Sequence, residues 1–168
     1  AWARQNIKTI IQKLGDEGQH VVYSDTDSIF VKTPVDGVTD PRQAMIEFGH
    51  STAERFSEKS AELEFETGMS VFFSHGAKKR YVGQVVWPEE KMMIKGYETQ
   101  RTDSFRYLTE GMKNIFKHVL ADDSEAAINL AIETISAVKK GDVPVRDLIM
   151  SKSCKGRWDR KRAKWDFS

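Results

Sequence analysis

The sequence has 168 residues, of which 39% are hydrophobic and 30% are charged, and its formal net charge is only +1. This composition is typical of a globular protein with one full core or two small lobes, and it excludes a global field that would attract nucleic acid, so any basic surface must be local. The single cysteine, Cys154, excludes an internal disulfide and a cysteine-rich zinc site and fits a reducing compartment.

Targeting and metal-ligand signals are sparse along the chain. No apolar run approaches the length of a membrane span and no signal-peptide pattern is present, so we expect a soluble, cytoplasmic protein without a membrane partner. The four histidines show no metal-ligand spacing, which favours structural or surface roles. The chain begins at Ala1, without a methionine and already within a helical pattern, which favours an excised piece or a processed start.

The first two predicted elements are a helix and a hairpin. Apolar residues recur at helical spacing at Ile7, Ile10, Ile11 and Leu14. Gly15 follows them as a predicted helix stop. Two runs of β-branched and aromatic residues, 21–23 and 29–31, then flank the polar residues 25–27. This pattern predicts two strands joined by a tight turn.

The predicted turn carries two carboxylates, Asp25 and Asp27. They repel each other and gain no burial, which is costly unless a cation lies between them or the turn is fully solvated. Hard divalent cations such as magnesium take oxygen ligands of this kind, usually one or two carboxylates plus the phosphates of a substrate. The alternative is a solvated Asx-type turn, since Asp and Ser are ordinary turn residues. The spacing alone leaves both interpretations open.

The next part of the chain predicts a helix and then a sheet. Asp40 is a predicted N-cap and Pro41 occupies the first helical position. The apolar face of this helix, which we expect to pack under a sheet, contains Ala44, Met45, Phe48 and Phe56. Between residues 61 and 95 the hydrophobic period changes to two, which predicts antiparallel strands joined by short turns. These strands contain Leu63 and Phe65, then residues 71–73, 81–87 and 92–94.

After Asp103 the pattern is helical. The first predicted helix has an apolar face of Phe105, Leu108, Met112, Ile115, Phe116 and Val119. A capping box of Asp122 and Glu125 opens the second helix, and Gly141 and Pro144 end it. Its predicted core face contains Ala127, Ile128, Ala131, Ile132, Ile135 and Val138. We expect the boundary between a sheet-rich lobe and a helical lobe near Ser104.

Three basic segments are candidate nucleic-acid contacts. Residues 78–80 place three cations before Tyr81, which suits binding to a phosphate backbone or a minor groove. The alternative is a solvated strand edge, where lysines discourage aggregation.

The second segment lies near residue 96, where a glycine permits close approach to phosphate and Arg101 suits bidentate contact with phosphate. A helix start capped by Asp103 is the other interpretation, and both can hold. Residues 152–164 mix seven cations with Trp158, and Trp165 follows, which suits backbone tracking with stacking on bases or on arginine. A solvated, partly disordered tail is the alternative.

These segments also carry a resemblance. Residues 23–28, Tyr-Ser-Asp-Thr-Asp-Ser, resemble the palm motif of family B DNA polymerases that lies at a hairpin tip and holds the catalytic metals. Residues 78–81 resemble the family's lysine–lysine–x–tyrosine segment, which contacts the primer–template duplex, and residues 95–103 resemble the segment that leads into the thumb and touches the primer strand. Residues 143–152 resemble a further thumb segment. The motifs stand in the family's order, and the match is weakest toward the C-terminal end.

The resemblance implies an α+β fold, with an antiparallel palm sheet and packed helices in residues 1–104 and a helical thumb with a basic C-terminal stretch in residues 105–168. It implies a DNA-directed DNA polymerase that uses Mg2+, primer–template DNA and deoxynucleoside triphosphates. Asp27 is then the main metal ligand, and Asp25 shapes the field of the site or binds more loosely. The implied DNA contacts are Lys78, Lys79, Arg80, Tyr81, Lys95, Gly96 and Arg101. Further candidates are Tyr23, Thr26, Ser28, Glu64, Glu66, Glu98, Asp103, Arg157 and Arg160, with an exposed strand face as the alternative role of Glu64 and Glu66.

Two family features are missing from the sequence. The family uses a second metal-binding aspartate from an earlier palm motif and a helix with lysine and asparagine that holds the incoming nucleotide; neither is present, nor is the exonuclease domain. Two-metal phosphoryl transfer needs ligands that fix two cations about 3.5–4 Å apart, which one hairpin does not supply. We therefore expect an incomplete active site that needs a larger polypeptide or the missing N-terminal palm, as in the smaller polypeptide of a split archaeal polymerase acting at the nucleoid.

Two other classes of function compete with this interpretation. A non-catalytic subunit that grips the primer–template duplex would need the same basic segments, although a clamp gains nothing from two unpaired acids. In an aspartate-nucleophile phosphatase Asp25 would attack phosphate and Asp27 would act as acid/base. That fold follows its motif with a helix-bearing α/β unit and parallel strands, whereas here a strand is predicted immediately after the motif. A glycosyltransferase with an aspartate–x–aspartate motif fails on the same ground.

Overall fold

The structure is a computed structural model, and it describes residues 2–57, 62–97, 104–151, 156–159, 161–162 and 164–166. Four α-helices and antiparallel strand pairs occur in these ranges, which confirms the expected α+β class. The chain divides into two compact units, Ala1–Met93 and Ile94–Ser168. None of the helices within these ranges has the length and apolar character needed to cross a membrane.

The first helix, α1 (Trp2–Asp16), buries Leu14 completely and Ile10 almost completely. The prediction that Gly15 ends it was wrong, because the helix continues through Gly15. The stop is Gly18, whose φ of +75° is the left-handed conformation that glycine adopts without cost. Its N–H donates to the Gly15 carbonyl and the Gln19 N–H donates to the Leu14 carbonyl, which is the Schellman arrangement.

The hairpin that carries the two aspartates is confirmed. Strands β1 (Val21–Ser24) and β2 (Ile29–Val31) pair antiparallel, with Tyr23 opposite Phe30. The N–H of Asp25 donates to the Ser28 carbonyl over 2.9 Å and closes the turn between them. The polar residues therefore project from the tip of a short two-stranded ribbon.

The second helix, α2 (Pro41–Phe56), begins as predicted. The Asp40 side chain accepts a hydrogen bond from the Gln43 N–H over 3.0 Å, and Pro41 occupies the first turn. The helix contacts β3, and the Met45 side chain occupies the space that a Cβ at Gly68 would need. The expected packing of this helix against a sheet is confirmed.

Strands β3 (Gly68–Phe73), β4 (Tyr81–Trp87) and β5 (Lys91–Lys95) form a three-stranded sheet in that order, and β3 and β4 pair antiparallel. Val82 and Val85 of β4 are fully buried.

The predicted strand at Leu63 and Phe65 was wrong, because residues 62–67 form no strand. Their burial nevertheless alternates, since Phe65 is partly covered by the ring of Trp87 at 4.5 Å while the neighbouring glutamates are exposed. Side-chain packing, rather than strand pairing, produced the period of two.

The second unit contains the helices α3 (Arg106–Leu120) and α4 (Ser124–Lys140), a 3-10 helix (Val145–Leu148) and the strands β6 (Arg157–Asp159) and β7 (Lys164–Asp166). Phe105 occupies the N-cap position of α3, so the expected cap at Asp103 was wrong, and Asp103 itself lies outside the described residues. Tyr97 and Phe116 are buried and their ring centroids lie 4.7 Å apart.

The predicted start of α4 was wrong by one residue. Asp123, rather than Asp122, is the N-cap and accepts from the Ala126 N–H over 3.0 Å, while Asp122 has a left-handed φ of +57°. The expected end at Gly141 is confirmed, with φ +77° and a hydrogen bond from the Asp142 N–H to the Ala137 carbonyl.

The predicted core face of α4 was also wrong in part. Ala127 is buried, but Ile128, Ile132 and Ile135 are each more than half exposed. The reason is that α3 approaches the small-residue side of α4: a Cβ at Gly111 would lie 3.0 Å from Thr134.

Candidate functional site

A cluster of four aromatic rings holds the aspartate hairpin against the sheet. Tyr23 and Phe30 come from the hairpin, and Phe72 and Tyr81 come from β3 and β4. The ring centroids lie 5.0 to 5.7 Å apart. Such aromatic pairs contribute about 0.5–1.5 kcal/mol each beyond the area that they bury. The sequence interpretation missed Phe30 and Phe72, although the signal was present as aromatic residues on successive strands.

A hydrogen bond joins the hairpin to the basic segment 78–81. The Tyr23 hydroxyl accepts the backbone N–H of Lys79 over 2.9 Å, although the two residues are 56 positions apart in the chain. Lys79 has a left-handed φ of +62°, which is uncommon for a residue other than glycine. Its Nζ lies 4.0 Å from Asp25 Oδ1. The structure therefore brings together two of the segments that were predicted separately.

The two aspartates differ in their surroundings. Asp25 Oδ1 accepts hydrogen bonds from the N–H of Thr26 over 2.8 Å and from its hydroxyl over 3.2 Å, and the side chain is 28% exposed. Asp27 is exposed and makes no hydrogen bond or ion pair within the part of the chain that the structure describes. Asp25 is thus held by the turn, and Asp27 is the carboxylate that is open to an external ligand.

The donor set fits only part of a magnesium site. Magnesium is usually bound by one or two carboxylates together with substrate phosphates, which the hairpin tip can supply with Asp27 and Asp25. Among the described residues, no three side chains of His, Cys, Asp or Glu are grouped so that they could hold a metal ion. Two carboxylates do not complete a two-metal centre, which needs further ligands.

Glu66 and Tyr81 lie beside the hairpin. Partial burial raises the pKa of the Tyr81 hydroxyl above its ordinary value, and the charges of Tyr23, Asp25 and Glu66 add to the increase in that order. Glu66 therefore contributes to the electrostatics of this cluster, whereas Glu64 is exposed and has no hydrogen bond or ion pair in the described ranges. The cations Lys78 and Arg80 are exposed on the same turn as Lys79.

The raised pKa of Tyr81 predicts a loss of stability in strong base. The folded state holds the phenol proton more tightly than the unfolded state, so the unfolded state binds fewer protons once the pH passes the ordinary tyrosine pKa of about 10. We expect the free energy of unfolding to fall as the pH rises above about 10, and to fall less steeply in Tyr81→Phe. Urea unfolding at a series of pH values measures both slopes. Equal slopes for the two proteins would contradict the expectation, and Tyr107→Phe is the control.

The remaining predicted site residues lie elsewhere. Lys95 and Gly96 are exposed and belong to the second unit. Gly96 has a left-handed φ of +73°. The Ser28 carbonyl closes the hairpin turn, and Thr26 donates to Asp25. Outside the described residues lie Glu98, Arg101, Asp103, Arg160 and the side chain of Arg157.

The sequence model that describes DNA polymerase family B matches residues 3–164 of this chain. The DNA polymerase 2 of Aeropyrum pernix is 33% identical to the chain in an alignment of 159 residues, which covers 91% of this chain and 18% of that protein. The DNA polymerase of Thermococcus kodakarensis is 30% identical in an alignment of 156 residues, which covers 89% of this chain and 9% of that protein.

The similarity extends to a eukaryotic protein. The DNA polymerase delta catalytic subunit of Caenorhabditis elegans is 30% identical in an alignment of 148 residues, which covers 86% of this chain and 14% of that subunit. The chain thus spans less than a fifth of the length of these curated relatives. Because the family model covers nearly all of the chain and the relatives agree with it, the chain belongs to DNA polymerase family B.

Proposed function

We propose that this chain is part of a DNA-directed DNA polymerase, with the C-terminal portion of the palm in residues 1–104 and a helical thumb in residues 105–168. The observation that carries the proposal is the hydrogen bond between the Tyr23 hydroxyl and the Lys79 N–H. It fixes the candidate metal ligands at the hairpin tip beside the candidate duplex contacts of residues 78–81. A site for template-directed nucleotidyl transfer requires that combination.

In this proposal each group at the hairpin has a separate task. Asp27 holds a divalent cation from the exposed side of the turn, and Asp25 shapes the field there while its own charge is partly balanced by Lys79. Magnesium, when bound, would supply positive charge that activates the primer 3′-hydroxyl and neutralises the leaving pyrophosphate. Lys78 and Arg80 bind backbone phosphates, and Tyr81 stays protonated at neutral pH, so its hydroxyl can donate to the duplex.

The proposal includes a larger polypeptide that supplies the rest of the palm. Two carboxylates at one turn leave a two-metal centre incomplete, and the relatives that match this chain are more than five times as long as the matched segment. Primer–template DNA and deoxynucleoside triphosphates are the substrates of the complete enzyme, which acts at the nucleoid in the cytoplasm.

The competing functions have less support. Membership of DNA polymerase family B does not favour the aspartate-nucleophile phosphatase. In addition, β2 follows the motif directly and pairs antiparallel with β1, unlike the parallel strands of that fold. A non-catalytic DNA-binding subunit would share the basic segment, but the open carboxylate of Asp27 gives it no advantage.

The test begins with the purified chain alone. We expect no nucleotide incorporation in primer extension with magnesium, and salt-sensitive binding to primer–template DNA. The double variant Lys78→Glu/Arg80→Glu should weaken that binding and reduce the salt slope by roughly the two lost phosphate contacts. Lys139→Glu/Lys140→Glu, which changes two exposed cations at the end of α4, is the matched control. Incorporation by the chain alone would contradict the incomplete site, and an unchanged slope would contradict the duplex contacts.

A further inference from the structure

We propose that the C-terminal hairpin of β6 and β7 is a binding site for single-stranded DNA, in addition to the duplex contacts at residues 78–81. The proposal rests on a pair of exposed tryptophans in a strongly basic stretch of chain. It goes beyond the polymerase function proposed above, because it requires neither the metal site nor the palm.

Trp158 and Trp165 face each other across the two strands. They are direct partners in the antiparallel register, so their side chains lie on the same face of the hairpin. Their ring centroids are 5.6 Å apart and the rings meet edge to face at 68°. Trp158 is 47% exposed and Trp165 is 57% exposed. Tryptophan is highly buried on average in folded proteins, so two such rings side by side form an unusual exposed aromatic surface.

The charge of the sequence that contains this pair favours a polyanion. Residues 152–164 contain seven cations and one acid; the cations are Lys152, Lys155, Arg157, Arg160, Lys161, Arg162 and Lys164. Lys161 and Arg162 are exposed in the turn that joins the strands. The hairpin itself, residues 157–166, contains five cations and two acids, which is a local formal charge of +3 in a chain of net charge +1. Electrostatic attraction to phosphates is therefore local in this protein, and this hairpin is one candidate place for it.

The combination of rings and cations selects an unpaired strand. In a duplex the bases stack on each other and present only their edges, so an exposed tryptophan face has little to contact. In a single strand the base faces are free, and they stack on aromatic side chains with little dependence on sequence. A purely apolar protein partner would use the rings but would not match the positive charge of this stretch of sequence.

The tryptophan pair could also serve only to stabilise the hairpin. Cross-strand aromatic pairs stabilise strand pairing, and an isolated two-stranded hairpin is marginally stable. The two roles separate by experiment, because a stabilising pair does not respond to bases. Replacing both tryptophans with phenylalanine keeps an aromatic pair, whereas replacing both with alanine removes it.

The first measurement uses tryptophan fluorescence of the full chain in the Trp2→Phe/Trp87→Phe background, so that the tryptophan emission comes only from Trp158 and Trp165 of the hairpin. The buffer contains no magnesium or nucleotide. We expect saturable quenching by a short oligo(dT) and none by an abasic oligomer of the same length, since only the former has bases to stack. Quenching should persist in the Lys78→Glu/Arg80→Glu background, which separates this site from the duplex contacts. Absence of quenching, or equal quenching by the abasic oligomer, would overturn the proposal.

The second measurement is the affinity of the otherwise unmodified chain for labelled oligo(dT). Trp158→Ala/Trp165→Ala should weaken binding by about tenfold, and Trp158→Phe/Trp165→Phe should recover most of that loss, because phenylalanine also stacks. The affinity for blunt duplex DNA should change by less than about twofold in both variants. An unchanged affinity for oligo(dT) in the alanine variant would show that the rings serve another purpose, such as contact with a protein.

Discussion

Replacing Asp27 with asparagine is expected to lower the rate of DNA synthesis by about a thousandfold or more. Asparagine has the same shape as aspartate and can occupy the same exposed turn position, but it lacks the negative charge that binds a divalent cation. Asp25→Asn should cost less, because Asp25 already accepts two hydrogen bonds from Thr26 and lies beside Lys79. The order of the two effects distinguishes the open carboxylate from the one that the turn holds.

The rate must be measured in a complete polymerase. A suitable host is the DNA polymerase 2 of Aeropyrum pernix, in which the segment that aligns with this chain is replaced by the corresponding residues of this chain. Primer extension by this chimera gives the reference rate, and Asp36→Asn, an exposed carboxylate in the loop after β2, is the matched control. The affinity for primer–template DNA should stay within about threefold in each variant, which shows that the protein remains folded. Synthesis by Asp27→Asn within tenfold of the reference would contradict its role as a metal ligand.

The parts of the fold that were predicted correctly depend on neighbouring residues. Asp40 and Pro41 mark the start of α2, and the hairpin follows from two apolar runs around a polar turn. Predictions were wrong where the burial of a side chain depended on a residue far away in the sequence. Ile128 carries an apolar signal as strong as that of a core residue, but it is 60% exposed because α3 packs against the small residues of α4 instead.

The candidate site shows the same division. The sequence of the hairpin indicated that Asp25 and Asp27 share one turn, because that is a local property of residues 24–28. It did not indicate that Tyr23 would accept a hydrogen bond from Lys79, which is 56 residues away. Nor could spacing alone distinguish Asp27, which is open, from Asp25, which the turn and Lys79 hold. Such differences come from tertiary packing, which a pattern of residue types does not contain.

The segment 62–67 makes a second large effect testable, because the ring of Phe65 packs against both α2 and β4. The ring of Phe65 stacks on the ring of Trp87, with the centroids 4.5 Å apart and an angle of 12° between the planes. The rings of Phe65 and His50 meet edge to face, with the centroids 5.2 Å apart. Gly49 of α2 lies so close that an added Cβ would be 2.6 Å from ring atoms of Phe65. Phe65→Ala should therefore lower the free energy of unfolding by about 2–4 kcal/mol, because it removes a ring packed on three sides.

Urea unfolding followed by tryptophan fluorescence measures this loss, and the emission of Trp87 should shift to the red as its stacking partner disappears. Glu64→Ala, one residue away and exposed, is the control and should change stability by less than about 0.5 kcal/mol.

Gly49→Ala alone should cost about 1–3 kcal/mol by overpacking, despite the better helix propensity of alanine. In the double variant Gly49→Ala/Phe65→Ala, the new methyl group occupies space that the ring has left. The double variant should therefore lose less free energy of unfolding than the sum of the losses in the two single variants. Strict additivity would mean that α2 and the segment 62–67 are not held together through this contact.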